Sequence, residues 1–177
     1  MPVSHLSIRA ALGFMAQVLI ALGSNLGNAE RHVRVGWRAV VGLLALRNPQ
    51  LSRMFHSAPA EGVRGAAFVN AVGRGETDLP ARAVLTVLQA IERSQGRDRR
   101  REGPARARSL DLDLLDWQGM QCADPNLQLP HPRLHAREFV LRPLVEVAPD
   151  FVDLRSGRSA RELLLALPAG TTAGPCG

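Results

Sequence analysis

Leucine and aspartate alternate through Leu110-Asp111-Leu112-Asp113-Leu114, and this pattern constrains the chain more than any other. Side chains alternate faces along a strand, so the leucines line one face while Asp111 and Asp113 point together from the other. The apolar face must pack against a layer, and the carboxylate face must stay wet or be neutralised. Asp116, an odd number of positions further on, faces the leucine side in a regular strand and is not expected to join the pair.

The rest of the chain supplies that layer. Val18–Leu22 is an apolar run ending at Gly23-Ser24-Asn25, which reads as a central strand and a turn. Asn28 caps a helix with Glu30 in its first turn, and Val33, Trp37, Val40, Val41 and Leu44 recur at helical spacing until Asn48-Pro49. Leu51–Ser57 and Ala66–Gly73 read as a hairpin. Leu79-Pro80 opens a second helix with Val84, Leu85, Leu88 and Ile91 as its stripe, ended by Gly96. Leu110–Trp117 is a strand, Gln118-Gly119 turns into a short partner at Met120–Ala123, and helices follow over Arg137–Val147 and Ser159–Leu167. Ser159 with Glu162 forms a capping box. Strand, helix, hairpin, helix, strand is the split βαβ of an α+β, ferredoxin-like α-β sandwich with a central, mainly antiparallel sheet.

At 177 residues the chain suits one domain. Residues 18–177 are read as that catalytic domain and 1–17 as a flexible or loosely packed extension. The stretch 10–22 is too short to span a bilayer, so no membrane association is expected. Cys122 and Cys176 stand far apart without a metal-binding context, which fits a reducing cytoplasm.

The formal net charge of +6 is built without a single lysine. Arginine forks suit nucleic acid or a polyphosphate, and they crowd into Arg93–Arg108, where Arg97, Arg99, Arg100, Arg101 and Arg106 also lie. With aromatics at 4% and no tyrosine there is little to stack bases on, and no RNP motif is present, so no nucleic-acid partner is expected.

Asp111 and Asp113 sit roughly 6–7 Å apart at the backbone and repel unless a cation lies between them. The pair is either an amphipathic strand with a wet face or a seat for one or two Mg²⁺ ions on a nucleotide. The arginine loop beside it either makes surface ion pairs or closes on the same phosphates, and it is expected to be mobile without ligand. Gly23-Ser24-Asn25-Leu26-Gly27-Asn28 lacks the lysine of a P-loop, so that class is excluded. His131, held in Leu129-Pro130-His131-Pro132, is a candidate phosphate donor.

Taken in order, these segments resemble a known family. Leu19–Gly27, Phe68-Val69-Asn70-Ala71-Val72, Gln89–Arg97, Ser109–Leu114 and Pro130-His131-Pro132-Arg133 through Arg137–Leu144 are similar to the 6-hydroxymethyl-7,8-dihydropterin pyrophosphokinases, over about Val18 to Pro149. The resemblance implies transfer of pyrophosphate from ATP to 6-hydroxymethyl-7,8-dihydropterin, releasing AMP, in folate synthesis. It implies two Mg²⁺ ions on Asp111 and Asp113, with Arg97 and Arg108 sharing the catalytic work. Gln89, Glu92, Arg99, His131 and Arg137 would line the ATP. Asn70 would bond the pterin edge between Phe68 and Phe139, with Ala58, Pro59 and Glu61 completing the pocket. Departures fall elsewhere: Glu102 stands where many relatives have Trp, and Ala105-Arg106-Ala107 lengthens the path to Arg108. Pro132 replaces an aromatic residue, and Asn126 and Gln128 replace Arg and Thr.

Overall fold

The apolar run before Gly23-Ser24-Asn25 forms the centre of the sheet. In the computed structural model, which describes residues 15–58, 66–96, 108–168 and 174–175, it is β1, Ala16–Ser24. β1 pairs antiparallel with β4 (Phe68–Thr77) on one side and β5 (Asp111–Trp117) on the other. β4 also pairs with β2 (Arg47–Leu51) and β3 (Phe55–Ser57), and Gly174–Pro175 adds a short strand to β3. Helix α1, Ala29–Leu43, follows β1, and α2, Ala81–Ser94, joins β4 to β5. This is the expected α+β ferredoxin-like arrangement with an antiparallel sheet.

Both faces of β1 are covered, which is why its sequence is almost continuously apolar. Val18, Ile20 and Leu22 pack with Val33 and Val40 of α1, Val84 and Leu88 of α2, and Leu112 and Leu114 of β5. Leu19 turns the other way, toward Val72, Leu115 and helices α3 (Glu138–Val147) and α4 (Ala160–Leu165). Asn28 caps α1 as expected, its Oδ1 accepting from the Arg31 N–H at 3.0 Å. The capping box on α4 also forms, with Ser159 and Glu162 bonded reciprocally. Gly73 makes room for α1: a Cβ there would stand 2.2 Å from the Trp37 ring.

Three readings need correction. α1 ends at Leu43, before Asn48-Pro49, because Ala45 turns into the left-handed region. Asn48 and Pro49 lie instead in β2, where the register shifts between Arg47 and Gln50, a place that tolerates a missing N–H. Leu51–Ser57 is two strands, parted at Ser52, whose Oγ accepts the Val72 N–H at 3.0 Å. Met120–Ala123 does not pair back on β5. Cys122–Asp124 forms β6 and pairs onward with β7, Leu127–Leu129, around a turn in which Asp124 Oδ1 accepts the Asn126 N–H at 2.8 Å.

Asp116 also departs from expectation, because β5 is not regular. The register against β1 skips Leu115, pairing Ile20 with Leu114 and Leu19 with Asp116. That bulge brings Asp116 onto the face of Asp111 and Asp113. It stays apart from them, buried at 5% exposure, with Oδ2 accepting the Gly119 N–H at 2.9 Å. Oδ1 is buried without a hydrogen-bond partner. Burial pushes its pKa up, with Asp153 adding to the rise and the Gly119 bond opposing it. A raised folded-state pKa means the folded chain holds this proton longer than the unfolded one, so stability falls as pH rises through that window. Asp116→Asn should therefore gain on the wild type as pH rises above the ordinary titration range of an aspartate. Urea denaturation across that range tests this, and a pH-independent difference between the two proteins would contradict it.

Candidate active site

β5 is an edge strand, and its free edge is pinned by side chains and a loop. Glu92 of α2, at 1% exposure, accepts the Leu112 N–H on Oε1 at 2.8 Å. The His131 N–H donates to the Leu115 carbonyl at 2.8 Å, so the bulge anchors the Pro130-His131-Pro132 loop. Asn25 grips the start of the strand, its Oδ1 accepting the Arg108 N–H at 2.8 Å while its own N–H donates to the Arg108 carbonyl at 3.2 Å. Ser24, fully buried, points its hydroxyl at the same carbonyl.

Asp111 and Asp113 thus project from a fixed backbone, with side chains 24% and 30% exposed. Cations approach from both ends. Arg108 Nη1 donates to Asp111 Oδ2 at 2.7 Å. Arg137 Nη1 lies 3.5 Å and His131 Nε2 3.8 Å from Asp113 Oδ2. Burial lowers the His131 pKa first, Asp113 opposes that, and Arg137, Arg133 and Arg155 reinforce it. Burial likewise lowers that of Arg137, with Arg133 adding to the fall and Asp113 and Asp111 opposing it. The Arg137 guanidinium also lies 5.5 Å from the Phe139 ring centroid.

Cross-strand register brings a second group beside the carboxylates. Gly23 pairs with Asp111 on one side and Asn70 on the other. Asn70, at 6% exposure, donates through Nδ2 to Ser57 Oγ at 2.9 Å and to the Phe55 carbonyl at 3.4 Å. Phe68 lies two residues before it on the same face, paired with Ser57, and Phe139 opens α3, which packs over β4. Ala58 follows β3 and is exposed.

The structure therefore gathers Arg108, Asp111, Asp113, His131, Arg137, Asn70, Phe68 and Phe139 on the α3 face of the sheet. Gln89 is half-buried on α2, on the other layer, one turn before Glu92. Glu92 is buried and holds the aspartate strand through the Leu112 N–H. Pro59, Glu61, Arg97 and Arg99, with the expected mobile loop up to residue 107, lie outside the described residues. Asn25 and Ser57 were not singled out from sequence. Only their bonds to Arg108 and Asn70 mark them, and nothing local in the sequence announces either.

Among the described residues no three His, Cys, Asp or Glu side chains converge on a metal. The carboxylate pair fits a hard cation that takes its remaining oxygens from a phosphate ligand and water, which is the habit of Mg²⁺.

Residues 19–149 match the family described as 7,8-dihydro-6-hydroxymethylpterin-pyrophosphokinase (HPPK). The chain belongs to that family. Its activity is the family's, pyrophosphoryl transfer from ATP to hydroxymethyldihydropterin in folate synthesis. It is 41% identical over 154 residues to the 2-amino-4-hydroxy-6-hydroxymethyldihydropteridine pyrophosphokinase of Pseudomonas aeruginosa, covering 86% of this chain and 92% of that one. The Methylorubrum extorquens enzyme of the same name is 34% identical, over 88% and 97% of the two chains. Among solved structures, Plasmodium falciparum HPPK-DHPS with pteroate superposes with a TM-score of 0.67 at 12% identity, a likeness of fold. That match covers 85% of this pyrophosphokinase-family chain but 42% of the solved one.

Asn25→Ala should cost about 1–3 kcal/mol, because it strands the partly buried Arg108 N–H at the root of the aspartate strand. Chemical denaturation measures this, and a change below about 0.5 kcal/mol would show that the Arg108 bond is replaced by water.

Proposed function

We propose that Asp111 and Asp113 seat two Mg²⁺ ions on the phosphates of ATP while Asn70, Phe68 and Phe139 hold the pterin beside them. The observation that carries this reading is the placement of both carboxylates, with arginines at either end, one strand away from the buried amide of Asn70. Bound Mg²⁺ would neutralise phosphate charge and polarise the phosphorus under attack.

The remaining work falls to the chain's own groups. Arg108 and Arg137, now paired with the aspartates, are positioned to share phosphate oxygens once a nucleotide arrives. His131, whose pKa burial depresses, would sit as a neutral N–H donor toward the phosphates. Arg97 and Arg99 would join from the loop before Arg108, and Gln89 and Glu92 would support the nucleotide from α2, Glu92 by holding Leu112. Asn70 would read the pterin edge, with Ala58, Pro59 and Glu61 at its rim. The pterin hydroxymethyl oxygen would attack the β-phosphorus in line as AMP leaves, and positioning with charge compensation would supply most of the acceleration. The reaction would take place in the cytoplasm, from a single domain whose central strand starts at Ala16, two residues before the expected boundary at 18.

Purified protein with Mg²⁺ should release AMP and pterin diphosphate, with no ADP; AMP release indifferent to the pterin would reject the assignment. Asp111→Ala and Asp113→Ala should each lower turnover by orders of magnitude while the protein still folds, relief of the like-charge repulsion offsetting the lost partner of Arg108 or Arg137. Near-normal turnover of both at saturating Mg²⁺ would reduce the pair to an amphipathic strand. Asn70→Ala should weaken pterin binding by roughly 1–3 kcal/mol and ATP binding far less. Calorimetry on each ligand decides this, equal losses meaning that Asn70 is structural.

A further inference from the structure

One backbone position separates the two halves of the proposed site. Gly23 is the direct partner of Asn70 on β4 and of Asp111 on β5, so the three residues form a single row across the sheet, all on one face. Neighbouring strands lie about 4.8 Å apart, which sets Asn70 and Asp111 roughly 10 Å apart at the backbone. In the next row the partners are Val72, Ala21 and Asp113, and there the central strand does carry a side chain.

The space above Gly23 is bounded on both sides. A Cβ built there would lie 3.3 Å from Asn70 Oδ1 and 3.9 Å from the Asp111 Cβ. The second is an ordinary contact. The first is too close for comfort, and Asn70 has little room to yield because its Nδ2 is tied to Ser57 Oγ at 2.9 Å and to the Phe55 carbonyl. With the amide N–H groups turned inward, Oδ1 is the atom left on the Gly23 side, aimed along the row toward Asp111. Gly23 has a negative φ, being absent from the positive-φ glycines of the described residues, so the backbone conformation does not require glycine here. Space does.

We propose that Gly23 is a positioning residue for the transfer: its missing side chain lets Asn70 Oδ1 accept a hydrogen bond from the pterin while the hydroxymethyl arm reaches across the row toward the phosphate held at Asp111. This rests on the proposed function and extends it to a residue that touches neither the metal nor, through a side chain, the substrate. A methyl at position 23 displaces Oδ1 by a few tenths of an ångström and stands in the line between acceptor and donor.

The test is a double-mutant cycle of Gly23→Ala and Asn70→Ala, with wild-type pterin-dependent AMP release measured first. Absence of that release overturns the proposed function before any variant is read. Given an active wild type, Gly23→Ala should keep its Mg-ATP affinity within about twofold and lose about tenfold or more in kcat/KM for the pterin. Once Asn70 is already alanine, adding Gly23→Ala should change pterin binding by less than about twofold, since only the ordinary contact with Asp111 remains. A folded Gly23→Ala with unchanged kcat/KM overturns the proposal, and so do equal losses for both substrates or fully additive losses in pterin binding. Should Gly23→Ala alone fail to fold, the double variant decides. Recovery of folding supports the steric claim against Asn70, and continued failure overturns it.

Discussion

Two like charges fixed on an edge strand set the terms for the rest of this structure. Asp111 and Asp113 repel, and an edge strand has half its backbone groups without a neighbouring strand to hold it straight. The fold answers both problems with the same residues. Arg108 and Arg137 lie against the carboxylates at 2.7 and 3.5 Å, while Glu92, Asn25 and the His131 loop bond the strand's backbone or its root. These pairs are partly buried, with side chains 13 to 30% exposed, so attraction is offset by desolvation and the arginines are better understood as counterions to the carboxylates than as struts. The struts are the buried bonds: a carboxylate at 1% exposure accepting a backbone N–H is a strong anchor that is costly to leave unpaired.

Antiparallel register lines that anchored strand up with the residues of the proposed pterin site. Because β1 lies between β4 and β5, Leu19, Ala21 and Gly23 on the α3 face each have one neighbour from β4 and one from the aspartate strand. A slip of one residue in either ladder would turn Asn70 or the aspartates into the α1–α2 core. The apolar set Val18, Ile20, Leu22, Val69, Ala71 and Leu112 forbids such a slip, since it would expose them. Packing on one face therefore guarantees the alignment of polar groups on the other.

How much of this was legible depended on whether the determinant was local. The periods of β1, α1, α2 and β5 were plain, as were the Asn28 cap and the Ser159 capping box, because each is set by residues within a few positions. The Leu/Asp alternation gave the carboxylate face outright. What escaped was set across the sheet. Pro49 reads as a helix stop, yet it sits in a strand beside a register shift. The bulge at Leu115 arises from pairing with Leu19 and Ile20, so no inspection of β5 alone would rotate Asp116. Glu92 reads from the resemblance as a residue lining ATP, and its bond to Leu112 shows only in the fold. Asn25 and Ser57 gain importance from partners 83 and 13 residues away.

Arg137 shows how these levels meet. It precedes α3, where no side-chain cap forms, and its extended backbone leaves the side chain directed over the sheet. The same guanidinium lies near Asp113 and against the Phe139 ring, so it touches a proposed metal ligand and a proposed wall of the pterin pocket at once. Burial and Arg133 both disfavour its charge, and the two aspartates oppose them. Any ligand that draws Asp113 away leaves Arg137 desolvated and without that compensation unless phosphate oxygens replace the carboxylate. On the proposed reading, metal and nucleotide would then favour each other's binding. Because Arg137 also rests on Phe139, the proposed pterin wall would be linked to that exchange through a single side chain.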